Sequence, residues 1–318
     1  MKKGLFVNTR KANCSIYSSG LMIYNALKDG ADYELTYKEI SHIDVNALHS
    51  GNYKSYDFYI FNYHHNAMRL HEGADSRYFV NLPGKKICII LEMTADDPFV
   101  FMRPEGFDEF LVLDPTFEPK QSNIHAFPRP LSNFRNIKHY DKIPEVPVIG
   151  SFGYATFDKG FHLIAEAVSK EFDKAILRIN IPQSTFADVA VNRHFGADYK
   201  TMIEEQCRAN LKDGIELQFT RDYMSDDQLI DWCAENTLNC FFYTRNLPGL
   251  AATTDQVVMS GAPLLVSSNT TFRHIHTYVQ PYPEQSLKDA ILNGAQNIEQ
   301  MQKDWAPEAC KKILKKII

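Results

Sequence analysis

Short, almost continuously apolar runs alternate with amphipathic stretches along this chain, and the alternation stops once and then restarts. A run that is apolar at successive positions suits a strand buried on both faces. Strands of that kind, separated by helices, pair in parallel. The spacing predicts a strand over Gly4 to Asn8. A helix is expected over Ser18 to Lys28, with Ser18 or Ser19 as its cap and Leu21, Ile23, Tyr24 and Leu27 facing inward. Tyr56 to Tyr63, Lys86 to Leu91 and Phe110 to Leu113 read as further strands. Ser132 to Pro147 is polar, carries two prolines near its end, and reads as a linker.

The rhythm then resumes. Strands are expected over Val148 to Gly153, Ala175 to Ile181, Glu216 to Thr220, Asn239 to Tyr243 and Pro263 to Ser267. Helices are expected over Lys159 to Phe172, Tyr199 to Leu211, Asp226 to Glu235 and Ala251 to Ser260. The predicted fold class is α/β, with two doubly wound, Rossmann-like domains facing across a cleft. A length of 318 residues is too great for one ordinary α/β core and accommodates two. The expected division is 1-140 for the N-terminal domain, 147-300 for the C-terminal domain and 301-318 for a last helix.

Charge and cysteine usage narrow the function classes. A net charge of −5 argues against nucleic acid as a partner, because phosphate backbones need a basic face. The opening residues read as a first strand rather than a signal peptide, and no run reaches the roughly 18 apolar residues of a membrane helix. Cys14, Cys88, Cys207, Cys233, Cys240 and Cys310 are scattered without a C-x-x-C pair and read as reduced thiols, so the expected location is cytoplasmic. The basic, amphipathic tail Lys311 to Ile318 adds peripheral membrane contact as a further expectation.

Doubly wound sheets bind ligands at the carboxyl ends of their strands, which directs attention to the loops there. Gly150 to Gly160 is a glycine-bearing loop feeding a helix, with Lys159 at the helix start. Free backbone N–H groups, a dipole end of roughly half an elementary charge and a lysine together suit a diphosphate. After the strand ending at Tyr243 come Arg245 and Gly249, then Ala251 and Ala252, whose small size permits close backbone approach. Asp255 and Gln256 follow in the first turns of a helix and are natural partners for sugar hydroxyls. Each loop alone also fits a plainer structure: a βα turn with a surface lysine, or a packed helix whose Asp255 stabilises its own N-terminus.

Taken in order, the two loops resemble the C-terminal domain of retaining glycosyltransferases of family 4, which have the GT-B fold. That family reads G-R-L-x-x-x-K-G before a helix ending L-I-E-A. Here the run is Gly153-Tyr154-Ala155-Thr156-Phe157-Asp158-Lys159-Gly160, then Leu163-Ile164-Ala165-Glu166-Ala167. The family's later E-G-F-G-L-x-x-L-E-A-M-A-x-G-x-P-V-V-A-S is matched by Pro248 to Met259 and Ser260 to Ser267. The family's phosphate-binding arginine falls on Tyr154, its two glutamates fall on Pro248 and Gln256, and its lysine is Lys159. The Asp255-Gln256 pair is similar to the Asp-Gln of other GT-B enzymes, which faces donor-sugar hydroxyls.

What this resemblance implies is a hexosyl transfer from a nucleotide-sugar to a glycan, lipid or protein acceptor. The donor is a substrate, and no cofactor is expected. The implied donor-binding residues are Gly153, Tyr154, Lys159, Arg245, Gly249, Leu250, Asp255 and Gln256. In the N-terminal half, His64 and Glu92 follow strands and are the candidate catalytic bases, near Asn62, His65, Asp96 and Asp97. GT-B enzymes resemble one another in using positive protein groups in place of a metal ion, and neither a D-x-D nor a His/Cys cluster occurs here. The resemblance also implies that the last helix packs back on the N-terminal domain. Replacement of both family glutamates leaves a non-catalytic GT-B scaffold that binds a partner as the alternative.

Overall fold

The computed structural model describes residues 1–10, 15–40, 55–63, 82–91, 107–156, 158–184, 199–244 and 249–318. It divides into two compact units. The first is Met1–Ser132 with Pro248–Leu250 and Asp304–Ile318, and the second is Asn133–Leu247 with Ala251–Lys303.

The first unit is built on β1 (Lys2–Thr9), α1 (Ser15–Leu27), β2 (Tyr33–Ile40), β3 (Phe58–Tyr63), β4 (Lys85–Ile90), β5 (Glu109–Val112) and β6 (Ile124–Ala126). Its six strands lie in the order β2-β1-β3-β4-β5-β6, and every pair is parallel. Side chains alternate across a strand, so β1 puts Phe6 on one face and Leu5 and Val7 on the other. Phe6 joins Phe58, Ile60, Ile87, Ile89 and Leu111 in one core, while Leu5 and Val7 join Tyr59, Phe61, Ile40 and Leu82 in another. Both faces are covered, which is why these strands read as unbroken apolar runs.

In the second unit the elements are β7 (Val148–Phe152), α2 (Phe161–Glu171), β8 (Ala175–Asn180), α3 (Tyr199–Ala209), β9 (Ile215–Thr220), α4 (Asp226–Glu235), β10 (Leu238–Phe241), α5 (Thr253–Ser260) and β11 (Leu264–Val266). A 3-10 turn at Thr270–Phe272 leads into α6 (Arg273–His276), α7 (Leu287–Asn293) and α8 (Ala295–Asp304). The sheet order is β11-β10-β7-β8-β9, again all parallel. Residues 133–147 belong to this unit: Arg135 N–H donates to Met259 O at 2.7 Å and Lys138 N–H to Gly261 O at 2.9 Å.

The last helix, α9 (Pro307–Ile317), groups with the first unit. It buries Cys310, Leu314 and Ile317 in the same core as Phe6, Ile23 and Leu27 of β1 and α1. Cys88, Cys207, Cys233, Cys240 and Cys310 are buried free thiols, and burial pushes those of Cys207 and Cys310 up to about 12. No helix among the described residues is long and apolar enough to cross a membrane.

Two expectations about the first unit need correction. The helix starts at Ser15 rather than Ser18, so Ser18 and Ser19 lie inside it. The reason is tertiary: Asn62 Nδ2 donates to Ile16 O at 3.0 Å and Asn8 Nδ2 to Tyr17 O at 3.1 Å, which fixes the first turn from the sheet side. The strand β2 was absent from the sequence reading because Tyr33 to Ile40 is mixed polar and apolar and forms the sheet's edge.

The order β2-β1-β3 means that the chain leaves β1 to one side and returns on the other. The asparagines at the carboxyl ends of β1 and β3 meet at that reversal. Asn62 Nδ2 donates to Asn8 Oδ1 at 2.8 Å, and Thr9 N–H donates to the same oxygen at 2.9 Å. Asn8 Nδ2 also donates to the Tyr37 hydroxyl at 3.0 Å. Removing the Asn8 amide strands several buried polar groups together, so Asn8→Ala should lower stability by about 2–3 kcal/mol. Urea unfolding followed by circular dichroism measures this, and an unchanged midpoint would refute it.

Candidate functional site

In the second sheet the chain runs outward from β7 through β8 to β9, then returns to β10 on β7's other side. A crevice at the carboxyl ends of β7 and β10 follows from that reversal, because the two connections leave on opposite faces. The loops that open there are Gly153–Gly160 after β7 and the segment from Phe242 after β10.

The first loop is set by unusual backbone angles. Gly153 has φ +145° and its N–H donates to Asn180 O at 3.1 Å. Asp158 has φ 61°, one of the residue types that tolerates the left-handed region, and its carbonyl accepts from Thr244 N–H at 2.9 Å. Gly160 has φ 65°, and a Cβ there would stand 1.9 Å from the carbonyl oxygen of Phe242. This contact joins the start of α2 to the end of β10. It also corrects one boundary: Lys159 lies two residues before α2 rather than in its first turn, because Gly160 takes the cap position in the left-handed conformation.

The result is a corner around Lys159, which is half-buried. Its Nζ donates to the Tyr243 hydroxyl at 2.6 Å and lies 3.9 Å from the centre of the Tyr243 ring. The Tyr243 hydroxyl is 3.1 Å from Thr253 Oγ1, the first residue of α5. A Cβ built on Gly153 would be 3.6 Å from Lys159 Nζ and 3.7 Å from Thr253 Cγ2, so three separate segments converge on one ammonium. The Tyr243 ring is 4.8 Å from that of buried Phe272, and the Tyr243 carbonyl accepts from Ser267 Oγ at 2.9 Å.

Helix capping differs around this unit. Ser225 and Gln228 form a capping box on α4, and Ser286 Oγ accepts from Asp289 N–H at 3.0 Å on α7. The two helices that start at the crevice, α2 and α5, have no side-chain cap. Neither cap residue, Gly160 nor Ala252, offers a side chain to a first-turn N–H. Buried oxygens without a hydrogen-bond partner among the described residues include Ser151 Oγ, Thr156 Oγ1 and Gln256 Oε1, all on β7, its loop or α5.

Of the residues singled out in the sequence, Gly153 and Lys159 come together, and Tyr154 is half-buried beside them in the same loop. Gly249 and Leu250 are half-buried ahead of α5, and Asp255 and Gln256 are in it, 1% and 8% exposed. Arg245, His64 and Glu92 lie outside the described residues. Tyr243 and Thr253 were passed over in the sequence. The available signal was that Tyr243 is a polar-tipped aromatic at the carboxyl end of a switch-point strand.

No protein-family model matches the chain, and no curated protein matches it. Solved structures do. Anabaena Alr3699/HepE, solved with UDP and glucose, is similar over 99% of both chains with a TM-score of 0.64 at 11% identity. An α-glucosyltransferase solved with UDP and a 13-mer DNA containing an HMU base covers 99% of both chains with a TM-score of 0.59 at 12% identity. A trehalose-6-phosphate protein from E. coli, bound with UDP-2-fluoro glucose, covers 99% of this chain and 98% of its own, with a TM-score of 0.59 at 9% identity. The chain has the GT-B fold.

Within that GT-B fold, the position of Lys159 depends on Gly160. An added methyl group would clash with backbone rather than with a flexible side chain, and the φ is unfavourable too. Gly160→Ala should therefore cost at least about 2 kcal/mol in stability. Denaturant titration checks this, and a variant as stable as the parent would show that the loop tolerates a different path.

Proposed function

We propose that this chain is a glycosyltransferase that moves a hexosyl group from a nucleotide-sugar to a glycan, lipid or protein acceptor. The observation that carries the reading is the convergence of Gly153, Lys159 and Thr253 at the switch point of the second sheet, beside two helix starts without side-chain caps. A diphosphate needs positive charge and directed donors, and this corner supplies both. The donors bound in similar structures, UDP and UDP-glucose among them, make a UDP-sugar the first donor to test. In this reading charge compensation comes from Lys159 and backbone dipoles rather than a metal ion. Arg245, Tyr154, Gly249 and Leu250 complete the donor site, and Glu92 or His64 takes the acceptor's proton.

Two experiments test the reading. Lys159→Ala should fold normally and bind nucleoside diphosphate about 10- to 100-fold more weakly, the loss of one charge-assisted hydrogen bond. Calorimetric titration of UDP, with and without EDTA, measures it. Equal affinity of variant and parent would reduce the corner to a turn, and a loss of binding in EDTA would restore a role for metal.

Asp255 and Gln256 hold the donor sugar in this reading, so that its anomeric carbon is oriented for attack. Asp255→Ala and Gln256→Ala should then reduce turnover more than nucleotide affinity. Transfer at the parent rate in both variants would refute that role, and melting curves identify any variant that fails to fold. Failure of every nucleoside diphosphate to bind the parent protein would favour the non-catalytic scaffold.

A further inference from the structure

We propose that the outer face of α9, together with the neighbouring start of β1, is a docking surface for a bilayer containing anionic phospholipid. The inference goes beyond the transferase reading and does not depend on it. The helix turns one side to the core: Cys310, Leu314 and Ile317 are buried, and Ile313 and Ile318 pack against the same cluster. By helical spacing Lys311, Lys312, Lys315 and Lys316 fall on the opposite arc, and the last three of these are exposed. Asp32 ties this helix to the amino end of the sheet. Its carboxylate pairs with Lys315, while its carbonyl accepts from Lys2 N–H at 2.9 Å. The exposed Lys2 and Lys3 therefore extend the basic face beyond the helix. Asp32 offsets one lysine, the Asp57 carboxylate accepts from Lys3 N–H at 2.7 Å, and Glu308 stands one turn earlier on α9. The ammonium groups of Lys2, Lys3, Lys311, Lys312 and Lys316 have no ion pair among the described residues.

The fold makes little use of these charges. Lys311 and Lys315 are four residues apart, as are Lys312 and Lys316, and like charges at that spacing repel. The helix dipole favours cations in the last turn, which accounts for Lys315 and Lys316 but not for Lys311 and Lys312. Four lysines within six residues of an amphipathic helix are the density that an anionic leaflet attracts. Composition selects the occupant. Among the described residues this face holds neither an arginine nor an exposed aromatic ring. Nucleic acid is gripped by arginine forks and stacked rings, whereas compact ammonium charges on flexible stems suit a fluid layer of headgroups. The first unit has 18 lysines and arginines against 18 aspartates and glutamates, so the lysines of α9 are a local positive excess on a balanced body. Because the apolar side of α9 is already spent on the core, the contact is electrostatic and needs no unfolding of the helix.

The test is sedimentation of the full chain with vesicles of phosphatidylcholine alone and of phosphatidylcholine mixed with phosphatidylglycerol, at low and high salt. The parent protein should sediment with the mixed vesicles only, and salt should release it. The double variant Lys312→Glu, Lys316→Glu should bind the mixed vesicles about tenfold or more weakly. Lys170→Glu with Lys174→Glu, the same change of net charge at exposed positions of the second unit, should bind like the parent. Should the glutamate variant melt early, Lys312→Gln with Lys316→Gln removes the charge without reversing it and should also lose affinity. Failure of the parent to bind mixed vesicles at low salt would overturn the proposal. So would equal binding to neutral vesicles, or equal losses in the α9 and control variants. A single-stranded oligonucleotide is run beside the vesicles, and binding to it alone would overturn the lipid assignment in favour of nucleic acid. None of these outcomes bears on whether Lys159 binds a nucleoside diphosphate, so this proposal and the transferase reading fail separately.

Discussion

Gly160 and the carbonyl of Phe242 approach closer than any side chain would permit, and the candidate site depends on that approach. Parallel strands are held by their own hydrogen bonds, but nothing in a sheet fixes how the loop leaving one strand meets the loop leaving another. Here a single left-handed glycine brings the start of α2 against the end of β10. The Asp158 carbonyl, accepting from Thr244 N–H, fastens the same junction one step earlier. Lys159 sits between these two fastenings, so its side chain has little choice but to reach toward Tyr243.

That arrangement has an electrostatic consequence. The Lys159 ammonium is held over a π-face and against a phenol oxygen, both of which are neutral. A neutral partner gives way to an anion, because the charge-assisted bond is roughly twice as strong as the one it replaces.

The fold was legible where both faces of a strand are buried, and less so elsewhere. Phe58 to Tyr63 and Val148 to Phe152 announce themselves because their residues are buried on both faces of the sheet. Tyr33 to Ile40 did not, since an edge strand needs only one buried face, and Ile124–Ala126 is too short to carry a pattern. The start of α1 was misread because its first turn is held by Asn8 and Asn62, whose role depends on contacts 9 and 46 residues away in sequence. The same limit applied at the site. Gly153 and Lys159 could be found from a local pattern, but Tyr243 is 84 residues from Lys159 and acquires its meaning only when β10 lies beside β7. Sequence spacing records local chemistry well and long-range apposition hardly at all.

The way the chain divides also governs how it can reach this structure. The first unit takes its residues from both ends of the chain, while the second is drawn from the middle. Cys310, Leu314 and Ile317 share a core with Phe6, Ile23 and Leu27, so that core closes across some of the longest sequence separations available. Each buried leucine or isoleucine contributes about 1.5–3 kcal/mol, so a first unit without α9 would lack a substantial part of a typical margin of stability. The second unit has no such dependence, because β7 to β11 and their helices are contiguous apart from the short Pro248–Leu250 segment. Contacts of large sequence separation form late, since loop-closure entropy must be overcome before they stabilise anything. During synthesis the sheet carrying Lys159 can therefore be complete while the sheet carrying Asn8 and Asn62 still waits for the final helix.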